Sequence, residues 1–133
     1  KHFAGRLEGL NIALWGLSFK PNTDDMREAP SLNVIDSVLA SGARIRAHDP
    51  QAAEEAHRVL GGQPGFETFT DPYAAAAGAD ALVLITEWKQ YWAPDFDRLR
   101  HEMKQPVIVD GRNIWSPDVV RGRGITYYAI GRP

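Results

Sequence analysis

Cationic and neutral hydrogen-bond donors are concentrated in one loop, which runs from Gly16 to Pro30. Lys20 and Arg27 supply cationic donors, and Asn22 and Thr23 supply neutral ones. An apolar run precedes the loop and an amphipathic segment follows it, with a proline in the first turn of the expected helix. A lysine and polar donors ahead of a helix N-terminus suit an anion such as phosphate. The sequence therefore predicts an anion-binding loop.

Acidic residues in the same loop leave a second interpretation open. Asp24, Asp25 and Glu28 could orient the two cations, or Asp24, Asp25 and Arg27 could form a solvated salt-bridge cluster that only fixes the loop. The pair Asp24 and Asp25 could also hold a divalent metal, but no third ligand is evident nearby. The four histidines are scattered without ligand spacing: His2, His48, His57 and His101. No metal site is predicted.

Short apolar runs alternate with helical segments along the whole chain. The run Asn11–Trp15, before a glycine, is typical of a buried strand, and apolar residues at helical spacing predict a helix from Ser31 to Ser41 that Gly42 ends. Further strands are predicted at Arg44–His48, Glu67–Phe69, Ala81–Ile85, Val107–Asp110 and Thr126–Ile130. Further helices are predicted from Asp49-Pro50 to about Leu60, after Asp71-Pro72, around Phe96, Leu99 and Met103, and from Ser116-Pro117-Asp118.

This alternation predicts an α/β fold: a doubly wound, mostly parallel six-stranded sheet with helices on both faces, in a Rossmann-like three-layer arrangement. With the strand order 3-2-1-4-5-6, the loops after strands one, four and five flank the crevice in which ligands bind. Lys20 and Arg112 would then lie on one rim, where two cations suit the ionised oxygens of a diphosphate. Arg112 could instead be a surface arginine after a glycine turn.

Two further features have structural as well as functional interpretations. Asp49 follows the second strand, where dinucleotide-binding folds keep the acid that bonds a ribose hydroxyl. The first strand is followed by Gly16 alone instead of Gly-x-Gly-x-x-Gly, so a helix cap is the favoured role for Asp49. Trp88, Tyr91 and Trp92 could stack on a base, although such aromatic residues more often plug the rim of a sheet.

Composition excludes several classes of function. The 133 residues suit one domain, with residues 1–10 as a lead-in from an upstream domain and residues 11–133 as the folded unit. A net charge of −2 gives no general attraction to nucleic acid or to an anionic membrane, so phosphate binding must be local. No apolar run approaches the roughly 20 residues that span a bilayer. The chain has no cysteine, which is compatible with the cytoplasm and excludes covalent thiol chemistry.

The segment GLSFKPNTDDMREAPS, from Gly16 to Ser31, resembles the signature of the C-terminal domain of the UDP-glucose/GDP-mannose dehydrogenase family. Its KPNTDDMR form is most similar to bacterial UDP-glucose 6-dehydrogenases, and the resemblance extends from about Gly9 to about Tyr128. It implies that Phe19 and Lys20 hold the nucleotide-sugar. It also implies that Arg112, in the family's Asp-Gly-Arg turn, contacts the same ligand and that Arg27 approaches the NAD side of the cleft.

The resemblance also implies an activity for the enzyme to which such a domain belongs. Family members of this type are homodimeric oxidoreductases of nucleotide-sugar metabolism and polysaccharide biosynthesis, which use NAD to oxidise UDP-glucose twice to UDP-glucuronate. Their reactive cysteine and Gly-rich NAD fingerprint belong to an upstream domain and a central helix, and this chain has neither. We therefore expect this chain to bind and orient UDP-glucose or a related nucleotide-sugar, to contain no catalytic residue and, by itself, to reduce no NAD. The alternative is a stand-alone Rossmann-like binding or interaction module without dehydrogenase activity.

Overall fold

Six short parallel strands form one sheet in the computed structural model, which describes residues 9–17, 30–51, 58, 65–86, 88–111 and 114–129. In chain order the strands are β1 (Asn11–Trp15), β2 (Arg44–His48), β3 (Phe66–Thr68), β4 (Ala81–Leu84), β5 (Val107–Asp110) and β6 (Thr126–Ala129). Across the sheet they lie in the order β3-β2-β1-β4-β5-β6, and each neighbouring pair is parallel. The predicted fold class and strand order are confirmed.

Helices connect the strands. They are α1 (Pro30–Ala40), α2 (Pro72–Ala76), α3 (Phe96–Glu102) and α4 (Pro117–Gly122), with a 3-10 turn at Lys89–Tyr91. The helix predicted between β2 and β3 falls largely outside the described residues. Within that stretch Arg58 is described, and it is helical. None of the described helices is long and apolar enough to cross a membrane.

Local chemistry explains where the helices begin and end. Asp71 accepts a hydrogen bond from the Tyr73 N–H at 3.0 Å, with a proline at the first helical position, as predicted. Gly42 ends α1 with a φ of +87°, in the left-handed region where glycine carries no steric penalty. Three elements differ from their predicted bounds by one residue: β3 is shifted to Phe66–Thr68, β4 ends at Leu84, and α1 is shifted to Pro30–Ala40. β3 begins at Phe66 because Phe66 pairs with Ile45 of β2.

Residues of β1 alternate between two cores, one on each face of the sheet. Ile12 and Leu14 pack in a cluster that contains Ile35 of α1, whereas Trp15 belongs to a second cluster with Leu99 of α3. A strand buried on both faces is the usual state of a central parallel strand. The helices therefore cover both faces, and the predicted three-layer arrangement is confirmed.

The sheet reverses its strand order at β1, which lies between β2 and β4. Just past β1, Gly16 has a φ of +98°, and a Cβ atom there would lie 2.5 Å from the Thr86 backbone nitrogen. The Ile85 N–H donates to the Trp15 carbonyl oxygen at 2.9 Å, which keeps the two chains together to this point. Only glycine fits where the loop leaves β1.

We expect Gly16→Ala to lower the free energy of unfolding by about 2–5 kcal/mol, because it adds left-handed backbone strain of ~1–2 kcal/mol to an overpacking cost of ~1–3 kcal/mol. Gly78→Ala is the matched control. Gly78 has a φ of +72° but nothing within 4 Å of its Cβ position, so only the backbone strain applies. Urea unfolding measures both changes. Equal losses in the two variants would contradict the close contact with Thr86.

Candidate functional site

The four residues predicted to contact ligand or cofactor lie outside the described residues: Phe19, Lys20, Arg27 and Arg112. Their roles and their convergence stay predictions. The described residues include the points at which two of the loops leave the sheet, at Leu17 after β1 and at Gly111 after β5. The site can therefore be built from the contacts that fix these two points.

The loops after β1 and β5 leave the same edge of the sheet, with only β4 between them. The Gly16 N–H donates to the His48 carbonyl oxygen at 2.8 Å, and the Gly111 N–H donates to the Leu84 carbonyl oxygen at 2.9 Å. Because neighbouring strands are about 4.8 Å apart, the two loops begin about 10 Å from each other. This spacing suits two long cationic side chains that reach one diphosphate from both sides.

A buried carboxylate, that of Asp49, joins the loops that follow β1, β2 and β4. Its Oδ2 accepts hydrogen bonds from the Leu17 N–H at 2.7 Å and from the Trp88 indole N–H at 3.1 Å. Its Oδ1 accepts from the Gln51 N–H at 2.9 Å, which is the local bond that the predicted cap would make. The helix that it would cap lies largely outside the described residues. Asp49 is only 3% exposed. Sequence reasoning found the local bond and missed the two long-range ones.

A second buried contact lies beside Asp49, between β2 and the 3-10 turn. The Tyr91 hydroxyl lies 2.6 Å from Nδ1 of His48 and 3.1 Å from the His48 carbonyl oxygen. Burial lowers the pKa of His48 and, together with the nearby Asp49 charge, raises the pKa of Tyr91. Both side chains are therefore neutral near pH 7, and neither adds charge beneath the loop that leaves β1.

Aromatic side chains fill the space below this edge. Tyr91 is fully buried and stacks on Trp15 at 4.9 Å between ring centroids, while the Trp15 indole N–H donates to the Pro72 carbonyl oxygen. Trp88 is also buried, whereas Trp92 is 56% exposed. The interpretation as a plug of the sheet rim is thus confirmed for Trp88 and Tyr91, which are not available to stack on a base.

A second buried carboxylate, that of Asp110, closes the turn that follows β5. Its Oδ2 accepts from the Ile114 N–H at 2.9 Å, the Trp115 N–H at 3.1 Å and the Tyr127 hydroxyl at 2.7 Å. These contacts join the two ends of the turn in which the sequence places Arg112. The signal in the sequence was an aspartate directly before glycine, since such side chains bond nearby backbone N–H groups.

The described residues do not fit a dinucleotide in the usual Rossmann position. The space beside Gly16, where a pyrophosphate would approach, is occupied by Thr86. Asp49, at the position of the ribose-binding acid, is buried and directs both oxygens to protein N–H groups. No cluster of three metal-binding side chains occurs within the described residues. What the described residues of this edge offer is two fixed points, at Leu17 and Gly111, from which loops leave the sheet.

We expect Tyr127→Phe to lower the free energy of unfolding by about 1.5–3 kcal/mol, because it removes a buried hydrogen bond to a carboxylate. Tyr127 is 2% exposed, and Tyr128, next on the same strand, is 45% exposed. Tyr128→Phe is therefore the control and should cost less. Chemical denaturation compares the two variants. An equal loss of stability in the Tyr128 variant would contradict a specific stabilising bond between Tyr127 and Asp110.

Comparison with known proteins shows the family to which the chain is related. Residues 13–117 match the UDP-glucose/GDP-mannose dehydrogenase family, UDP binding domain. The chain is 48% identical over 134 residues to the UDP-glucose 6-dehydrogenase of Pseudomonas aeruginosa, a match that covers 98% of this chain and 30% of that protein.

Solved structures with the same fold include two archaeal dehydrogenases. A UDP-glucose dehydrogenase from Pyrobaculum islandicum is 34% identical with a TM-score of 0.76, over 96% of this chain and 26% of that one. An NDP-N-acetyl-D-galactosaminuronic acid dehydrogenase from Methanosarcina mazei is 29% identical with a TM-score of 0.81, over 98% of this chain and 28% of that one. The chain thus spans about 30% of the length of curated relatives that it matches. It belongs to the UDP-glucose/GDP-mannose dehydrogenase family, as a UDP binding domain.

Proposed function

We propose that this chain binds the UDP part of UDP-glucose within an NAD-dependent UDP-glucose 6-dehydrogenase, which oxidises UDP-glucose to UDP-glucuronate. The observation that carries the proposal is the match of residues 13–117 to the UDP binding domain. The identity of 48% to a UDP-glucose 6-dehydrogenase supports this nucleotide-sugar over others. Neither the described residues nor these relatives favour a stand-alone module.

Phe19, Lys20 and Arg112 are the proposed contacts to the nucleotide-sugar. The two cations would face the diphosphate, whose ionised oxygens accept charge-assisted hydrogen bonds. This pairing is supported by the position of Leu17 and Gly111 at the same edge of the sheet. The Asp49 carboxylate fixes Leu17, and a hydrogen bond to the Leu84 carbonyl oxygen of β4 fixes Gly111. Phe19, next to Lys20 in the same loop, would supply an apolar contact to the ligand.

The chemical steps would use groups from the rest of the enzyme. This chain has no cysteine to act as a nucleophile, and its described carboxyl edge does not fit a dinucleotide. NAD supplies the hydride acceptor when it is bound, and we propose that it is held mainly by an upstream domain. The contribution of this domain is then binding energy and orientation, which place the sugar against the reacting groups.

We further propose that the full-length enzyme is a cytoplasmic homodimer. The family resemblance supports the dimer, whose contact would lie in a central helix upstream of this domain. A chain without cysteine is compatible with a reducing compartment.

Lys20→Ala and Arg112→Ala, made in the full-length dehydrogenase, test the proposed function. Loss of a charge-assisted contact is worth roughly 1.5–3 kcal/mol, so each variant should bind UDP-glucose about 10- to 150-fold more weakly. The double variant should lose less than the sum, because residues that share one ligand group are coupled. Lys20→Arg should also bind more weakly, since a planar fork does not replace a compact ammonium. Isothermal titration measures all four affinities.

Arg123→Ala is the matched control for these variants. Arg123 precedes β6 at the opposite edge of the sheet and pairs with the exposed Asp97 at 2.9 Å. Its loss removes the same charge and should leave UDP-glucose affinity within about twofold, since it is remote from the proposed site. Unchanged affinity after loss of either Lys20 or Arg112 would refute the shared diphosphate site.

Arg27 is the proposed contact to the cofactor side of the cleft. It lies between Lys20 and α1 in the sequence, so it belongs to the same loop but can face another domain. In steady-state kinetics of the full-length enzyme, Arg27→Ala should raise the KM for NAD more than the KM for UDP-glucose. Equal or reversed effects would count against this assignment.

A further inference from the structure

Asp49 fixes the first residue of the loop that carries Phe19 and Lys20. Leu17 is fully buried and packs in the same core as Ile35 of α1, so its side chain is held from one side. The 2.7 Å bond from its N–H to Asp49 holds its backbone from the other side. Leu17 is the last described residue before the loop. The two contacts fix its position and the direction in which its backbone leaves the sheet.

Lys20 follows Leu17 closely in the sequence. It is three positions after Leu17, and an extended chain advances at most about 3.6 Å per residue, so Lys20 must be within about 11 Å of Leu17. A change in backbone direction at Leu17 would therefore change the region of space that Lys20 can reach. Oδ2 of Asp49 also accepts the Trp88 indole N–H at 3.1 Å, which ties the same carboxylate to the loop after β4.

A second aspartate provides an internal comparison. Asp80 is 1% exposed, and its Oδ2 accepts from the Asn11 N–H at 2.9 Å, at the start of β1. Its Oδ1 accepts from the Gln105 side chain at 2.9 Å. Asp80 and Asp49 are thus both buried and both bind a backbone N–H of the β1 segment. They lie at opposite edges of the sheet, and only Asp49 faces the loop of the proposed site.

We propose that Asp49 is a positioning residue for nucleotide-sugar binding, acting through the Leu17 backbone and supported by the Trp88 indole. This inference rests on the proposed function. Asp49 is 3% exposed and both of its oxygens accept protein N–H groups, so it would act through the chain and not by contact with the ligand. Asp49 affects the affinity because its bond to the Leu17 N–H directs the backbone that leaves β1.

Asp49→Asn is the informative substitution. An amide has one acceptor oxygen and one donor group, whereas the native carboxylate accepts on both sides. If the amide oxygen faces Leu17 and Trp88, the Gln51 N–H meets a donor; in the other orientation, Leu17 and Trp88 do. The side-chain volume is unchanged, so the variant alters hydrogen bonding without opening a cavity.

The experiment compares Asp49→Asn with Asp80→Asn in the full-length dehydrogenase, with UDP as the titrated ligand. Both variants should unfold at lower temperature, since each loses a buried charge-assisted bond. Asp49→Asn should weaken UDP binding about tenfold, which is ~1.4 kcal/mol, while Asp80→Asn stays within about twofold. The KM for UDP-glucose should rise in Asp49→Asn, while kcat and the KM for NAD stay within about twofold of the wild type.

Two outcomes would overturn the proposal: wild-type UDP affinity in Asp49→Asn, or equal weakening in both variants. If Asp49→Asn does not fold, Trp88→Phe decides, because it removes one donor to Oδ2 and keeps the bond to Leu17. A two- to fivefold loss of UDP affinity in Trp88→Phe supports the proposal, and unchanged affinity overturns it. Failure of the proposed function has a different signature, since the wild-type enzyme would then bind no UDP.

Discussion

Removing an aspartate side chain from water costs free energy unless hydrogen-bond donors surround it, and this constraint organises both edges of the sheet. Asp49, Asp80 and Asp110 are all at most 3% exposed, and each accepts at least one backbone N–H. The donors come from chain segments that enter or leave strands. Satisfying the buried carboxylates therefore also fixes the points from which loops depart, which a purely apolar core could not do with the same directionality.

The fold could be predicted because its signals are local. Apolar runs bounded by glycine and proline gave the strands, and β1, β2 and β5 have the predicted bounds. The cap at Asp71 was also predictable, since donor and acceptor are two residues apart. The partners of Asp49 are separated from it by 32 residues for Leu17 and 39 for Trp88, and no local pattern specifies such contacts.

The ligand contacts of the candidate site stay predictions, because their residues lie outside the described parts of the chain. The residue types in the loop after β1 indicated an anion, and their resemblance to a family signature indicated which anion. Burial, however, is a property of the packed structure, so the sequence left open whether Trp88 and Tyr91 would stack on a ligand or on the protein. Tyr91 stacks on Trp15 because β1 directs that side chain toward the same face of the sheet.

The strand order has a consequence for how the chain is made. β1 pairs with β4 along one edge, and the hydrogen-bonded residues Asn11 and Asp80 are 69 positions apart. During synthesis β1, β2 and β3 leave the ribosome before β4, and parallel pairing over such a separation is slow. Until β4 arrives, β1 presents unpaired N–H and C=O groups to any other chain nearby. Synthesis interrupted between β3 and β4 therefore leaves an open, aggregation-prone edge at what becomes the centre of the finished sheet.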